Sequence, residues 1–299
     1  MNSKLLAAAI CGLCAAASVH AKEGGDQYPN GAENWFAGAI PPPGNYFINY
    51  FGHVSGTLRD HKGDKVTAPN GKNVKLKATF DALRFLKVTE TQFLGANYGW
   101  AALLPIVHLS IDAAGSRDSR THIGDATFTP FLLSWHAPEW HYVVGLDVNL
   151  PTGRYDKNDP GGRNTGENYY SLEPVFGVTY LGSSGWEVSG KFMYNWKTRN
   201  KDTDYQSGDE FHMDFLVGKH VGPWSVGLSG YYLKQLTDDK QNGRKVGPDG
   251  NRGQVFAIGP SVKYETAGKS QLIFQWQHES NVKNRFKGDK LWFKLITAL

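Results

Sequence analysis

Between Trp140 and Leu181 apolar and polar residues alternate with a period of two. Trp140, Tyr142, Val144, Leu146, Val148 and Leu150 fall on one side, with His141, Val143, Gly145, Asp147 and Asn149 between them. After a Gly/Asn-rich stretch the alternation resumes. Tyr170, Leu172, Pro174, Phe176, Val178 and Tyr180 share one face, and Tyr169, Ser171, Glu173, Val175, Gly177 and Thr179 the other. A strict period of two predicts strands. Strands of about ten residues, aromatic at both ends of the apolar face and polar on the other, predict a membrane-spanning barrel. The same reading along the chain places twelve strands: 44–58, 75–88, 93–111, 122–136, 140–150, 168–181, 186–196, 208–220, 224–236, 253–266, 270–280 and 288–299. The segment 93–111 is apolar on both faces from Ala101 to Val107, so alternation does not orient it.

The connections alternate in length. Long ones (59–74, 112–121, 151–167, 197–207, 237–252 and 281–287) take turns with short ones (89–92, 137–139, 182–185, 221–223 and 267–269). Outer-membrane barrels have long external loops and short periplasmic turns, and an even strand count puts both termini in the periplasm. The predicted fold is therefore all-β: a twelve-stranded antiparallel transmembrane β-barrel over residues 44–299. Residues 22–43, ending in Pro41-Pro42-Pro43-Gly44, read as a periplasmic lead-in or a small plug.

Residues 1–21 carry a positive start at Lys4, an apolar run from Leu5 to Ala17 and a small-residue cleavage site at Val19-His20-Ala21. That is a secretory signal peptide, and it predicts export to the outer membrane of a Gram-negative cell. Both cysteines, Cys11 and Cys14, lie inside it, so the exported chain has no disulfide or thiolate chemistry. With Lys4 gone, 31 basic residues stand against 28 acidic ones, a balance that does not suggest nucleic acid. No exported segment approaches the ~18 apolar residues of a transmembrane helix, but a barrel hides its hydrophobicity in alternate positions.

On the predicted parity Asp147, Asn149, Glu173, Glu187, Lys191, Asn195, Asp214, Gln275, Gln277, Glu279, Lys290 and Lys294 point inward. Charges cannot face lipid, where one at the midplane costs ~2–4 kcal/mol. They form either a polar path for solute or a hydrogen-bonded filling of a narrow barrel. The loop residues Thr152, Gly153, Tyr155, Asp156, Tyr169 and Tyr205 would lie on the external rim, where the tyrosines could offer aromatic faces to a phenol-like solute or simply cap the barrel. Asp238, Asp239, Lys240, Arg244 and Lys245 in the loop 237–252 would meet lipopolysaccharide or its bridging cations.

Several segments in order resemble the outer-membrane family associated with the meta-pathway of phenol degradation. They are Gly38-Ala39-Ile40-Pro41-Pro42-Pro43-Gly44-Asn45-Tyr46, Gly124-Asp125-Ala126, Leu150-Pro151-Thr152-Gly153-Arg154-Tyr155-Asp156, Asn164-Thr165-Gly166-Glu167-Asn168 and Glu173-Pro174. Further on come Thr203-Asp204-Tyr205-Gln206-Ser207-Gly208, Gly230-Tyr231-Tyr232-Leu233-Lys234-Gln235-Leu236-Thr237-Asp238-Asp239 and Asn284-Arg285-Phe286-Lys287-Gly288. The resemblance implies a channel or transporter for small hydrophobic, aromatic compounds, with outer-membrane lipid, lipopolysaccharide and the barrel assembly machinery as partners and no cofactor. Many barrels end in an aromatic residue, whereas this chain ends in Leu299.

One enzymatic alternative arises from His278-Glu279-Ser280-Asn281, which has the His-x-Ser-Asn form of outer-membrane lipid hydrolases. On a strand, i and i+2 share a face, so His278 could deprotonate Ser280. A structural surface barrel is a third reading. His136 and His141 flank one short turn, but two imidazoles without a third ligand do not make a zinc site.

Overall fold

A computed structural model describes residues 25–113, 116–159 and 163–299. In chain order the strands are β1 (Gly44–Leu58), β2 (Lys75–Phe93), β3 (Ala96–Ala113), β4 (Ser116–Ile123), β5 (Ala126–His136), β6 (Trp140–Leu150), β7 (Ser171–Leu181) and β8 (Trp186–Lys197). They continue with β9 (Tyr205–Gln206), β10 (Glu210–Val221), β11 (Trp224–Gln235), β12 (Lys240–Gln241), β13 (Arg244–Lys245), β14 (Gln254–Glu265), β15 (Gln271–Lys283) and β16 (Phe286–Ala298).

Each long strand pairs antiparallel with its neighbours, and β1 closes on β16 from Tyr46 opposite Ala298 to Leu58 opposite Phe286. β4 and β5 share one position. β3 pairs with β4 from Ile106 upward and with β5 from Leu103 downward, so the ring closes as a twelve-stranded barrel. The expected strand 122–136 is thus broken at Gly124-Asp125. A Cβ on Gly124 would lie 3.0 Å from the Pro105 ring and 3.1 Å from the Thr165 carbonyl, so any side chain there would crowd both. β9, β12 and β13 form a small separate sheet in the loops.

The expected parity holds. On β6, Trp140, Tyr142 and Val144 are exposed, whereas Val143, Gly145, Asp147 and Asn149 are buried. Exposed Trp140, Trp186 and Trp224 ring the end with the short turns, and Tyr170, Tyr194 and Trp196 sit towards the long loops. Between them runs an outward band that includes Leu172, Phe176, Val188 and Val217. Two aromatic girdles around an apolar band are what a lipid bilayer requires of a barrel.

β3 takes its orientation from packing. Ala102, Leu104 and Ile106 point outward, and Ala101 and Leu103 point in. It is apolar on both faces because the lumen itself is apolar on this side. Ile48, Tyr50, Ala82, Leu86, Ala101, Leu132 and Val143 form one buried cluster inside the barrel, on β1, β2, β3, β5 and β6. Of the expected inward polar residues, Asp147 and Asn149 stand on β6 and the rest on β7, β8, β10, β15 and β16. The last external connection is shorter than the expected 281–287: β15 and β16 are joined by Asn284-Arg285 alone.

The candidate solute path and the segment that fills it

Residues 25–43 run through the lumen, not beneath it. The backbone N–H of Gly25 donates to Glu167, and Gln27 Nε2 to Asp125 Oδ2 at 2.9 Å, both at the long-loop end. Lower down, Asp214 accepts from the Tyr28 hydroxyl (2.8 Å), Gly31 N (2.9 Å) and Glu33 N (3.1 Å). Asn34 Nδ2 donates to the carbonyls of Phe215 and Gly230, both at 3.0 Å, and Trp35 Nε1 to Ser261 Oγ at 2.7 Å. Towards the short-turn end, Phe36 N donates to Glu187 (2.6 Å) and Gly38 N to Thr179 Oγ1 (2.8 Å). Tyr28, Ala32 and Trp35 are also buried among apolar wall residues, so packing and polar partners together hold the segment.

All twelve residues expected to point inward are buried. Glu187, Lys191, Asp214, Gln275 and Gln277 bind the segment directly; Gln277 Nε2, for example, donates to Gly31 O at 2.9 Å. Five more bind the wall or its edge. Asn149 donates to Ser171 Oγ at 2.8 Å, Asn195 donates to Glu173 at 2.7 Å, Asp147 accepts from Thr129, and Glu279 accepts from Gly288 N at 2.9 Å. Lys290 and Lys294 donate to the carbonyls of Asn30 and Ala32.

Sequence reasoning missed Glu33 and Arg84. Arg84 Nη1 lies 2.6 Å from Glu33 Oε1, and Lys191 Nζ lies 2.9 Å from Glu33 Oε2. The available signal was an inward-parity arginine within Ala82-Leu83-Arg84-Phe85-Leu86.

Between the segment and the apolar half of the wall lies a cavity of about 540 Å³. Ile48, Leu86, Leu132, Val143, Leu181 and Ile296 supply apolar walls, and the Glu33–Arg84–Lys191 group stands at its inner limit. It extends to His136 and His141, at the end with the short turns. Those two rings meet Nδ1 to Nδ1 at 2.9 Å, a hydrogen bond between imidazoles.

The rim residues form two knots. At the first, Asp125 accepts from Gly153 N and Glu167 N, each at 2.9 Å, while Thr152 Oγ1 accepts from Ala126 N. Gly153 and Gly166 stand back to back, so a Cβ on either would come within 2.6 Å of the other's backbone. Asp156 N donates to Asn164 Oδ1, and Tyr155 is half-buried. At the second, Asp239 accepts from Gly208 N (2.7 Å), Gln235 Nε2 (2.7 Å) and the Tyr205 hydroxyl (2.6 Å). Tyr169 and Tyr205 are buried, at 2% and 8% exposure, so neither offers its face outward as expected. Asp239 is buried as well, unlike exposed Lys240, Arg244 and Lys245.

The two rim carboxylates titrate abnormally. Burial pushes the Asp239 carboxyl up to about 6 despite its three donors. Burial likewise raises Asp125.

His278 and Ser280 face outward, but their contacts lead elsewhere. His278 Nδ1 lies 2.9 Å from Asp289 Oδ1, and Ser280 Oγ donates to Phe256 O at 3.3 Å. Asn281 has a positive φ of 50° and faces solvent. The hydrogen bond that a nucleophile and its base require is absent between His278 and Ser280.

The family model described as "Putative MetA-pathway of phenol degradation" matches residues 55–295, most of the barrel. The chain belongs to that family. No curated protein matches it. Among solved structures, the COG4313 outer membrane channel from Pseudomonas putida F1 superposes with a TM-score of 0.77 at 18% identity, covering 88% of this chain and 98% of that one. The translocator domain of the autotransporter NalP from Neisseria meningitidis is more distant, with a TM-score of 0.48 at 9% identity over 88% of this chain and 91% of that one. At such identities the likeness concerns the fold: this family member has the fold of outer-membrane barrels.

Proposed function

We propose that this protein is an outer-membrane channel for small hydrophobic solutes, aromatic and phenol-like, which cross by diffusion. The observation that carries the reading is the apolar-walled cavity inside the barrel of a phenol-degradation family member. A water-filled general porin has little use for Ile48, Leu86, Leu132 and Val143 on its inner wall. A channel for aromatics gains from them, since apolar area leaving water contributes ~25 cal/mol per Å². About 540 Å³ lies within the ~300–1,000 Å³ of ordinary small-molecule sites.

Residues 25–43 occupy the polar half, so the solute takes the apolar half and moves past or displaces the segment. The mature protein in a planar bilayer tests this. Discrete conductance steps that millimolar phenol partly blocks are expected. Steps unaffected by phenol, in a barrel that also fails to speed phenol entry into liposomes, would remove the proposal.

A further inference from the structure

The inner limit of the cavity is charged, and the charges form a socket. Glu33 is gripped by Arg84 at 2.6 Å and by Lys191 at 2.9 Å, and it accepts a further hydrogen bond from the Tyr50 hydroxyl. Lys294 Nζ stands nearby, donating to the Ala32 carbonyl at 3.1 Å. Across from them Asp147 accepts from Thr129. These residues all line the same cavity. Three cations thus face two carboxylates along the lining of a largely apolar chamber.

The five charges differ in how they are attached. Arg84, Lys191, Lys294 and Asp147 belong to barrel strands whose ladders fix them. Glu33 arrives on the inserted segment, held by separate polar contacts. A buried arginine and lysine are costly unless a carboxylate pairs with them. The wall therefore carries a built carboxylate site, and the chain fills it with a carboxylate of its own. The planar guanidinium of Arg84 and the tyrosine hydroxyl suit a carboxylate better than a phenol hydroxyl.

We propose that this cavity binds amphipathic monocarboxylates, arylalkanoic or medium-chain aliphatic acids. The carboxylate takes the Arg84–Lys191–Tyr50 socket in competition with Glu33, and the apolar body lies along Ile48, Leu132 and Val143. The proposal rests on the reading of the lumen as a solute path and narrows its substrate class.

The test is calorimetric titration of the full mature protein in lipid nanodiscs with 4-phenylbutyrate and, as neutral counterpart, 4-phenylbutanol, with empty nanodiscs subtracted. The acid is expected to bind about tenfold tighter than the alcohol. Glu33→Gln removes the internal competitor and should tighten acid binding about fivefold, whereas Arg84→Gln should weaken it about tenfold. Each variant is read on the ratio of acid to alcohol affinity, which should rise about fivefold in Glu33→Gln and fall about tenfold in Arg84→Gln. Lys191→Gln replaces Arg84→Gln if the latter does not fold, with folding read from heat-modifiable gel migration. Equal affinity for acid and alcohol in the wild type overturns the proposal whatever the variants do, and so does a folded Glu33→Gln protein with unchanged acid binding. Phenol block of conductance with no preference for the acid would sink this inference and leave the channel reading standing.

Discussion

Asp214 shows how much one side chain can hold. Its two carboxylate oxygens accept from a tyrosine hydroxyl and two backbone N–H groups, all three on the inserted segment. Asp214→Ala would leave those donors buried and unpaired, at a cost of ~1–3 kcal/mol for each unsatisfied group. The segment need not pay it, because its alternative is to leave the wall. Asp214→Ala is therefore expected to raise single-channel conductance while the barrel still migrates as a folded, heat-modifiable band. Asp214→Asn keeps one acceptor and should fall between. A folded Asp214→Ala barrel with wild-type conductance would show that the lock on residues 28–33 and the closure of the lumen are separate matters.

The strands were legible because period two survives any tertiary context: β1 and β6 have the expected bounds, and the inward residues are the expected ones. What alternation cannot show is whom an inward side chain meets. Asp147 and Asp214 look alike in a strand pattern, yet one faces an apolar chamber and the other a threaded segment. The break at Gly124-Asp125 was hidden for the same reason. It exists to aim Asp125 at Gly153, Glu167 and Gln27, partners 28, 42 and 98 residues away in the chain. The ordered motifs quoted from the sequence are mostly pieces of the two rim knots.

Those knots carry a pH dependence whose sign follows from burial. The Asp239 carboxyl, pushed up to about 6, is neutral in the folded knot below that pH and must ionise at a cost above it. A raised carboxylate pKa means stability fully present below the ordinary aspartate value and lost as pH rises through about 6. At ~1.4 kcal/mol per pH unit the loss is bounded at roughly 3 kcal/mol. The loops around Tyr205 and Asp239 should be better protected from added protease at pH 5 than at pH 8. Asp239→Asn should flatten that dependence. Equal cleavage rates at the two pH values in the wild type would count against a buried, shifted Asp239.

At the scale of the whole molecule the barrel and its filling are separable. Every long strand has both ladder partners among the other strands, and the ring closes through β1 and β16 without help from residues 25–43. The segment contributes hydrogen bonds worth ~0.5–1.5 kcal/mol each after competition with water, and ordering it costs ~1–2 kcal/mol per residue. Burial of Tyr28, Ala32 and Trp35 adds to those bonds, but the segment has no strand ladder of the kind that holds the barrel wall in place. Deleting residues 25–36 should therefore leave the barrel assembled and heat-modifiable. It should also leave Arg84, Lys191 and Asp214 facing water in an enlarged lumen, since their partners Tyr28, Gly31 and Glu33 go with the deletion. The expected result is a larger, steadier conductance that phenol blocks less well, because the chamber beside the segment has lost one wall. Were the shortened barrel to conduct no better than the full chain, the restriction would have to lie in the external knots around Asp125 and Asp239, and those loops would be the next to shorten.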